Sequence, residues 1–312
     1  MAQVTATMVK ELRERTQAGM SDCKNALVEA EGDMEKAVEV ILKKGIVKAA
    51  ARAGRIAAEG EVRTHVDAGG KRAVIVEVNC QTDFVARGDD FKSFVGKVTE
   101  VASKAAKGTD LLAQKYPGTD RTIDDVRQEM VAKSGENTVV RRWEVIECKE
   151  AGGFVHAYVH AGGKLAVLLH ADAPNADAVK NADVQAFTDN AAMQIAAMSP
   201  MVVRKQEVSD VQVAKQREIF DAQMKEEPKQ PPQAAWQKIL DGKIAKWFTE
   251  VTLLDQQNVW DDKKGTVDAV RQELGKSIGG ELKIVSFVRF SLGEGIEKKV
   301  DDLAAEVAKL TT

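Results

Sequence analysis

Apolar positions along the chain fall into two rhythms. Up to about residue 53 they recur every three or four residues: Val9 and Leu12, then Ala26, Leu27 and Ala30, then Met34, Ala37, Val38, Ile41 and Leu42. That spacing predicts three short amphipathic helices sharing one small core. Thr5, Ser21 and Asp33 stand where N-caps belong, and Gly32 and Gly45 where the last two helices would stop. The run 49–55 has no apolar face and reads as a linker. From Gly60 the period changes to two. His65-Val-Asp-Ala-Gly-Gly-Lys-Arg-Ala-Val74 returns as Tyr158-Val-His-Ala-Gly-Gly-Lys-Leu-Ala-Val167, an internal repeat whose Ala-Gly-Gly centre predicts the turn of a β-hairpin. A helical stripe follows each copy: Phe91, Phe94, Val95, Val98 and Ala102 after the first, Phe187, Ala191, Ile195 and Met198 after the second, which Pro200 ends.

The pattern predicts an α+β chain in five parts. Residues 1–54 form the helical bundle and 55–137 a first α+β subdomain; 138–203 with 234–291 form a related second one, beginning at the strand 138–148. Residues 204–233 are a helical insertion and 292–312 a carboxy-terminal helical module. Ser209-Asp-Val-Gln212 reads as a capping box ahead of a charged helix to about Glu227, broken by Pro228-Lys-Gln-Pro-Pro-Gln233. With so few apolar residues, that helix is expected to protrude or to pack through one narrow seam. Trp236, Ile239, Leu240, Ile244, Trp247 and Phe248 predict an amphipathic helix, 282–290 a strand returning to the second sheet, and Ile296, Val300, Leu303, Ala304, Val307 and Leu310 a final helix.

Composition narrows the function classes. With 312 residues, 44% of them apolar, the chain can bury real cores. A formal charge of -3 supplies no field for a phosphate backbone, which argues against direct nucleic-acid binding. Cys23, Cys80 and Cys148 are odd in number and far apart, which argues against a disulfide framework and for a reducing compartment. No apolar run is long enough for a membrane span and no leader is visible, so a cytoplasmic location is expected.

Catalytic constellations are thin. His65, His156, His160 and His170 all lie on the hairpins, yet no Cys, Asp or Glu completes a metal-like spacing. Gly275-Lys276-Ser277 has the end of a phosphate loop, but Val270 stands where the earlier Gly is required and the stretch follows a helical pattern, so Gly275 reads as a helix C′ residue. Gly293-x-Gly295 lacks its third Gly, since residue 298 is Lys. No cofactor, metal or catalytic residue is assigned.

The stretch Glu77-Val-Asn-Cys-Gln-Thr-Asp-Phe-Val-Ala-Arg87 remains. A strand-like run, 73–78, stops there and a helix begins, with Thr82 as its N-cap and Asp83 favoured by the helix dipole. Phe84 either tucks against the hairpin or, since Phe91 and Phe94 already supply the core stripe, points outward. Here the chain resembles the bacterial translation elongation factor Ts family: Thr82-Asp83-Phe84-Val85 matches the family's hallmark. Leu12-Arg-Glu-Arg-Thr-Gln-Ala-Gly-Met-Ser-Asp-Cys-Lys-Asn-Ala-Leu27 is similar to its amino-terminal signature, with Gln17 for a common Gly and Ser21 for a common Met. Gly293-Glu-Gly-Ile-Glu-Lys298 sits where its carboxy-terminal module belongs.

The resemblance implies a ubiquitin-associated-like bundle at the amino terminus and a guanine-nucleotide exchange factor for the GTPase elongation factor Tu. The segment Thr82, Asp83, Phe84 and Val85 would bind the partner, with Asp83 and Phe84 entering its G domain and disturbing its Mg²⁺ and phosphate site. Arg13, Met20 and Ser21 would be contacts of the amino-terminal module, and His160, Gly162 and Gly163 contacts of the second hairpin. GDP, GTP and Mg²⁺ would then be bound by the partner; the stoichiometry stays open, with a homodimer of this chain or a two-to-two complex among the alternatives. Two other readings stand beside it: a nucleotide-dependent enzyme using Gly275 to Ser277, and a homo-oligomeric scaffold built on the 209–227 helix.

Overall fold

A strand that is apolar at successive positions has to be covered on both faces, and Ala73-Val-Ile-Val76 is such a run, continued by residues that are also buried, Glu77 and Asn79 among them. In the computed structural model, which describes residues 4–16, 18–227, 232–261 and 265–297, Arg72–Cys80 (β2) is the middle strand of a sheet. One face, with Val74, Val76 and Val78, packs on the helix Asp89–Lys104 (α5); the other, with Ala73 and Ile75, packs on a second sheet. The first sheet has the order β1, β2, β3, with β1 at Glu59–Val66 and β3 at Thr138–Glu147. Strands Gly153–His160 (β4), Leu165–Asp172 (β5) and Lys283–Ser291 (β6) form the second. Neighbouring strands are antiparallel throughout. Val62, Ala73, Ile75 and Ile146 meet Val155, Ala166, Leu168 and Phe290 between the sheets, while the helix Ala182–Met198 (α8) lines the far face of the second sheet through Phe187, Ala191 and Ile195.

The expected start of the second subdomain at residue 138 is overturned: β3 pairs with β2 along its whole length and closes the first sheet. A second internal repeat explains why. Thr122-Ile-Asp-Asp-Val-Arg-Gln128 opens the helix Ile123–Ser134 (α6), and Thr266-Val-Asp-Ala-Val-Arg-Gln272 opens Val267–Ser277 (α11). In both, the Asp takes hydrogen bonds from the Arg and the Gln, and the Arg reaches on to a carbonyl at the head of the following strand. Arg127 donates to Thr138 O (3.1 Å) and Arg271 to Leu282 O (2.6 Å). Each unit is thus a hairpin, helices, and a third strand clamped to the last helix. The two hairpins also exchange equivalent backbone bonds across the sheet interface: Val62 N to Gly163 O (2.7 Å) and Val155 N to Gly70 O (2.8 Å).

Helices Ala6–Thr16 (α1), Met20–Glu29 (α2) and Met34–Arg52 (α3) enclose a core of Leu12, Cys23, Ala26, Leu27, Ala30 and Ala37. Thr5 and Asp33 cap as expected. Ser21 does not: Gly19 holds the cap position of α2 and Ser21 lies inside the helix. Gly45 does not stop α3, and most of the expected linker is helical. The helix runs on because it packs against α6, with Arg52 donating to Val131 O (3.3 Å). Gly275 likewise lies within α11, with the carbonyl of Gly280 2.9 Å from where a Cβ would stand; Gly279, at φ +74°, is the turn glycine.

The capping box at Ser209 is present, opening Asp210–Glu226 (α9). That helix does not project alone. It pairs with Gln233–Val251 (α10) through Trp236 Nε1 to Asp221 (2.8 Å), Arg217 to Asp241 (2.8 Å) and a core of Val208, Ile244 and Phe248. The expected boundary at 233/234 therefore divides one helical hairpin. Its neck is closed by Met201 N to Val251 O (2.8 Å) and Leu253 N to Val202 O (3.0 Å). Of the expected carboxy-terminal module, 292–297 form a turn after β6 that includes Ile296, the first residue of the expected helical stripe; the rest of that helix, from residue 298 on, lies outside the described residues. No helix among the described residues is long and apolar enough to cross a membrane.

Candidate functional site

β2 ends at Cys80, and two residues later Thr82, in extended conformation, caps the short helix Asp83–Arg87 (α4) by accepting from Val85 N (3.4 Å). The cap is itself held. Thr82 N donates to Glu136 Oε2 (3.0 Å) and the Thr82 hydroxyl to Glu136 Oε1 (2.7 Å). Beside it, Asn137 N donates to Gln81 Oε1 (2.8 Å), and Asn137 Nδ2 reaches the carbonyls of Ala53 (3.2 Å) and Arg55 (2.9 Å) at the exit of α3. Below, the Cys80 thiol donates to Thr82 O (3.2 Å). Burial, assisted by the Glu136 and Glu59 carboxylates, pushes that thiol up to about 12, so it stays neutral and offers no nucleophile.

α4 is anchored on one side only. Ala86 is buried and Val85 packs on the first unit's core, whereas Phe84 is 82% exposed. The outward alternative is therefore the one realised. Asp83 makes an exposed ion pair with Arg87 (2.7 Å), a contact worth under about 1 kcal/mol and readily exchanged for another partner. A capped turn thus presents one carboxylate and one uncovered aromatic ring.

The second unit supplies an internal control. Asn175 stands in place of Thr82 and accepts from Ala178 N (2.8 Å) to open Ala176–Val179 (α7). Ala178 is buried where Val85 packs, but the position of Phe84 is taken by the exposed Asp177. The same strand-to-helix connection forms without an aromatic, so the turn does not require the ring.

The other expected contact residues lie on separate elements. Arg13 is exposed on α1; Met20, 62% exposed, and Ser21 lie on α2. His160 is exposed at the tip of the β4–β5 hairpin, its ring 6.0 Å from that of Tyr158 and its Nδ1 3.0 Å from the Tyr158 hydroxyl. Gly162 is exposed, but Gly163 is buried: at φ +91° it sits against β1, with Glu61 Cγ 2.8 Å and Val62 O 3.1 Å from where a Cβ would be. Its structural duty is to join the two sheets. Among the described residues no group of His, Cys, Asp or Glu could hold a metal ion.

Glu136, Asn137 and Gln81 escaped the sequence reading. Comparison of the units exposes them, because their counterparts are Gly280, Glu281 and Pro174, a different chemistry at equivalent positions.

A family model described as Elongation factor TS matches residues 81–294. Among curated relatives, an elongation factor Ts from Nitratiruptor sp. is 45% identical over 306 residues, covering 98% of both chains. One from Clostridium perfringens is 44% identical over 98% of this chain and 99% of its own, and one from Symbiobacterium thermophilum 44% identical over 99% and 98%.

Proposed function

The chain belongs to the elongation factor Ts family and is thereby a nucleotide-exchange factor of translation elongation; we propose that it acts by inserting Asp83 and Phe84 beside the Mg²⁺ and phosphate site of elongation factor Tu. The observation that carries this reading is the uncovered ring of Phe84 on a helix whose base is fixed in the core. GDP held by a GTPase depends on a phosphate cradle and a metal ion, so a ring and a carboxylate wedged beside them weaken the groups that hold both. Nucleotide and factor then each lower the other's affinity for the GTPase by the same coupling free energy. GTP, followed by aminoacyl-tRNA, displaces the factor.

In this mechanism the factor holds no nucleotide and catalyses no covalent step. Arg13, Met20 and Ser21 dock the bundle on the partner, and His160 with Gly162 presents the tip of the second hairpin to another of its domains; Gly163 acts from beneath by fixing that tip. The setting is cytoplasmic. The test is stopped-flow release of a fluorescent GDP from elongation factor Tu, with labelled GDP offered to the factor alone as control. Acceleration of release without nucleotide binding by the factor supports the reading; stoichiometric GDP binding by the factor would replace it with a nucleotide-dependent enzyme.

A further inference from the structure

We propose that Glu136 is a positioning residue for the exchange reaction, holding the Asp83–Phe84 helix at the angle from which it enters the partner. The inference rests on the insertion mechanism above. Its first support is geometric. One carboxylate takes both the N–H and the hydroxyl of Thr82, at 3.0 and 2.7 Å, and so fixes the cap residue that orients α4. Hydrogen bonds to an ionised acceptor are the strong kind, and two on one residue leave its φ, ψ and χ1 little freedom. α4 has only five residues and is rooted in the core through Val85 and Ala86, so fixing its cap helps to fix the direction of Phe84.

The second support comes from the sister unit. There the capped turn at Asn175 carries Asp177 in place of the ring, and the position of Glu136 is Gly280, which packs directly on Pro174: a Cβ on Gly280 would come within 2.7 Å of the Pro174 ring. The unit that lacks the wedge lacks the carboxylate too, yet its strand, turn and helix form. Glu136 is therefore not a requirement of this connection; it accompanies the aromatic. The neighbouring Asn137 ties the same loop to the exit of α3, so the bracket also sets the wedge relative to the amino-terminal bundle.

Release of a fluorescent GDP from elongation factor Tu, measured over a range of factor concentrations, tests this. Glu136→Ala should lower the maximal release rate by on the order of tenfold, as expected for a misplaced contact group. The half-saturating concentration should shift by less than about twofold, because docking through the bundle and second hairpin persists. Glu136→Gln, which keeps one acceptor, should fall between wild type and Ala. The double variant Glu136→Ala with Phe84→Ala should be no slower than Phe84→Ala alone, since nothing is left to position. A slow Phe84→Ala protein beside a Glu136→Ala protein of wild-type rate would overturn the positioning role and leave the wedge intact. If both run at the wild-type rate, the insertion mechanism itself fails. Parallel loss of rate and affinity in Glu136→Gln, together with a lowered melting temperature, would make Glu136 merely structural and also overturn the proposal.

Discussion

Replacing Phe84 with alanine removes a ring that is 82% exposed, so the fold and the partner should register the change very differently. A phenylalanine side chain offers roughly 200 Å², of which about a fifth is covered here. At about 25 cal/mol per Å² the ring contributes at most about 0.9 kcal/mol to stability. A buried phenylalanine cut to alanine costs about 3–5 kcal/mol, and the gap is easily read in a urea titration. Toward the GTPase the expectation is reversed. An aromatic anchor seated in a partner pocket costs about 2 kcal/mol or more when truncated, which corresponds to a release rate lower by about 30-fold. Stopped-flow release of fluorescent GDP gives that rate, and the titration on the same preparation gives the stability. Asp83→Ala is the companion, since losing one exposed ion pair costs the fold under about 1 kcal/mol. A Phe84→Ala protein that unfolds like wild type and still drives release at the full rate ends the insertion mechanism; one that loses about 3 kcal/mol of stability contradicts the exposed position.

Gly163→Ala should destabilise by more than about 2 kcal/mol, combining a positive φ with close approach to β1, whereas Gly162→Ala, with nothing within 4 Å, should cost only about 1 kcal/mol; equal effects in denaturant unfolding would contradict the sheet-joining role. Glu77 is fully buried and accepts from Arg141 (2.9 Å), Arg142 (2.5 Å) and Gly293 N (2.8 Å). Burial would raise its pKa, but the bonds from Gly293, Arg141 and Arg142 outweigh it and hold the carboxyl below the ordinary 4.5. Its contribution is thus complete above about pH 4.5 and fades as pH falls through the lowered value, and Glu77→Ala, costing about 3 kcal/mol, should flatten that part of the acid-unfolding profile. Replacing 204–250 with a short Gly-Ser linker should leave the second unit folded, because its neck is closed at Val202 and Val251, while deleting α9 alone should expose Ile244 and Phe248 and lower the melting temperature.

Elements specified by local chemistry were legible in the sequence. The Thr82 cap and the capping box at Ser209 follow from side chains that satisfy nearby backbone groups, and the hairpin turns from glycines that take positive φ, Gly70 in the first and Gly162 and Gly163 in the second. What escaped was decided by distant packing. Gly45 reads as a stop, yet α3 continues because α6 lies alongside; Gly275 reads as an end, yet a carbonyl passing at close range selects it inside α11. The subdomain boundary went astray for a third reason. The 138–148 strand follows one unit and precedes the next hairpin, and only the second repeat, 122–128 with 266–272, assigns it backwards.

That repeat also bears on the candidate site. Two units of one ancestry of pattern share what the fold needs: the capped turn after the middle strand, the Asp-Arg-Gln clamp and the inter-sheet backbone bonds. Positions where the units differ are released from that demand, and Phe84 against Asp177 and Glu136 against Gly280 are two such positions on one surface. Phe84 is the most exposed large apolar side chain among the described residues, and its counterpart in the sister unit is a charged residue. The carboxylate that steadies the helix of Phe84 occurs only with that ring. The asymmetry between the halves, more than any single motif, is what separates residues that make the fold from those proposed to face the partner.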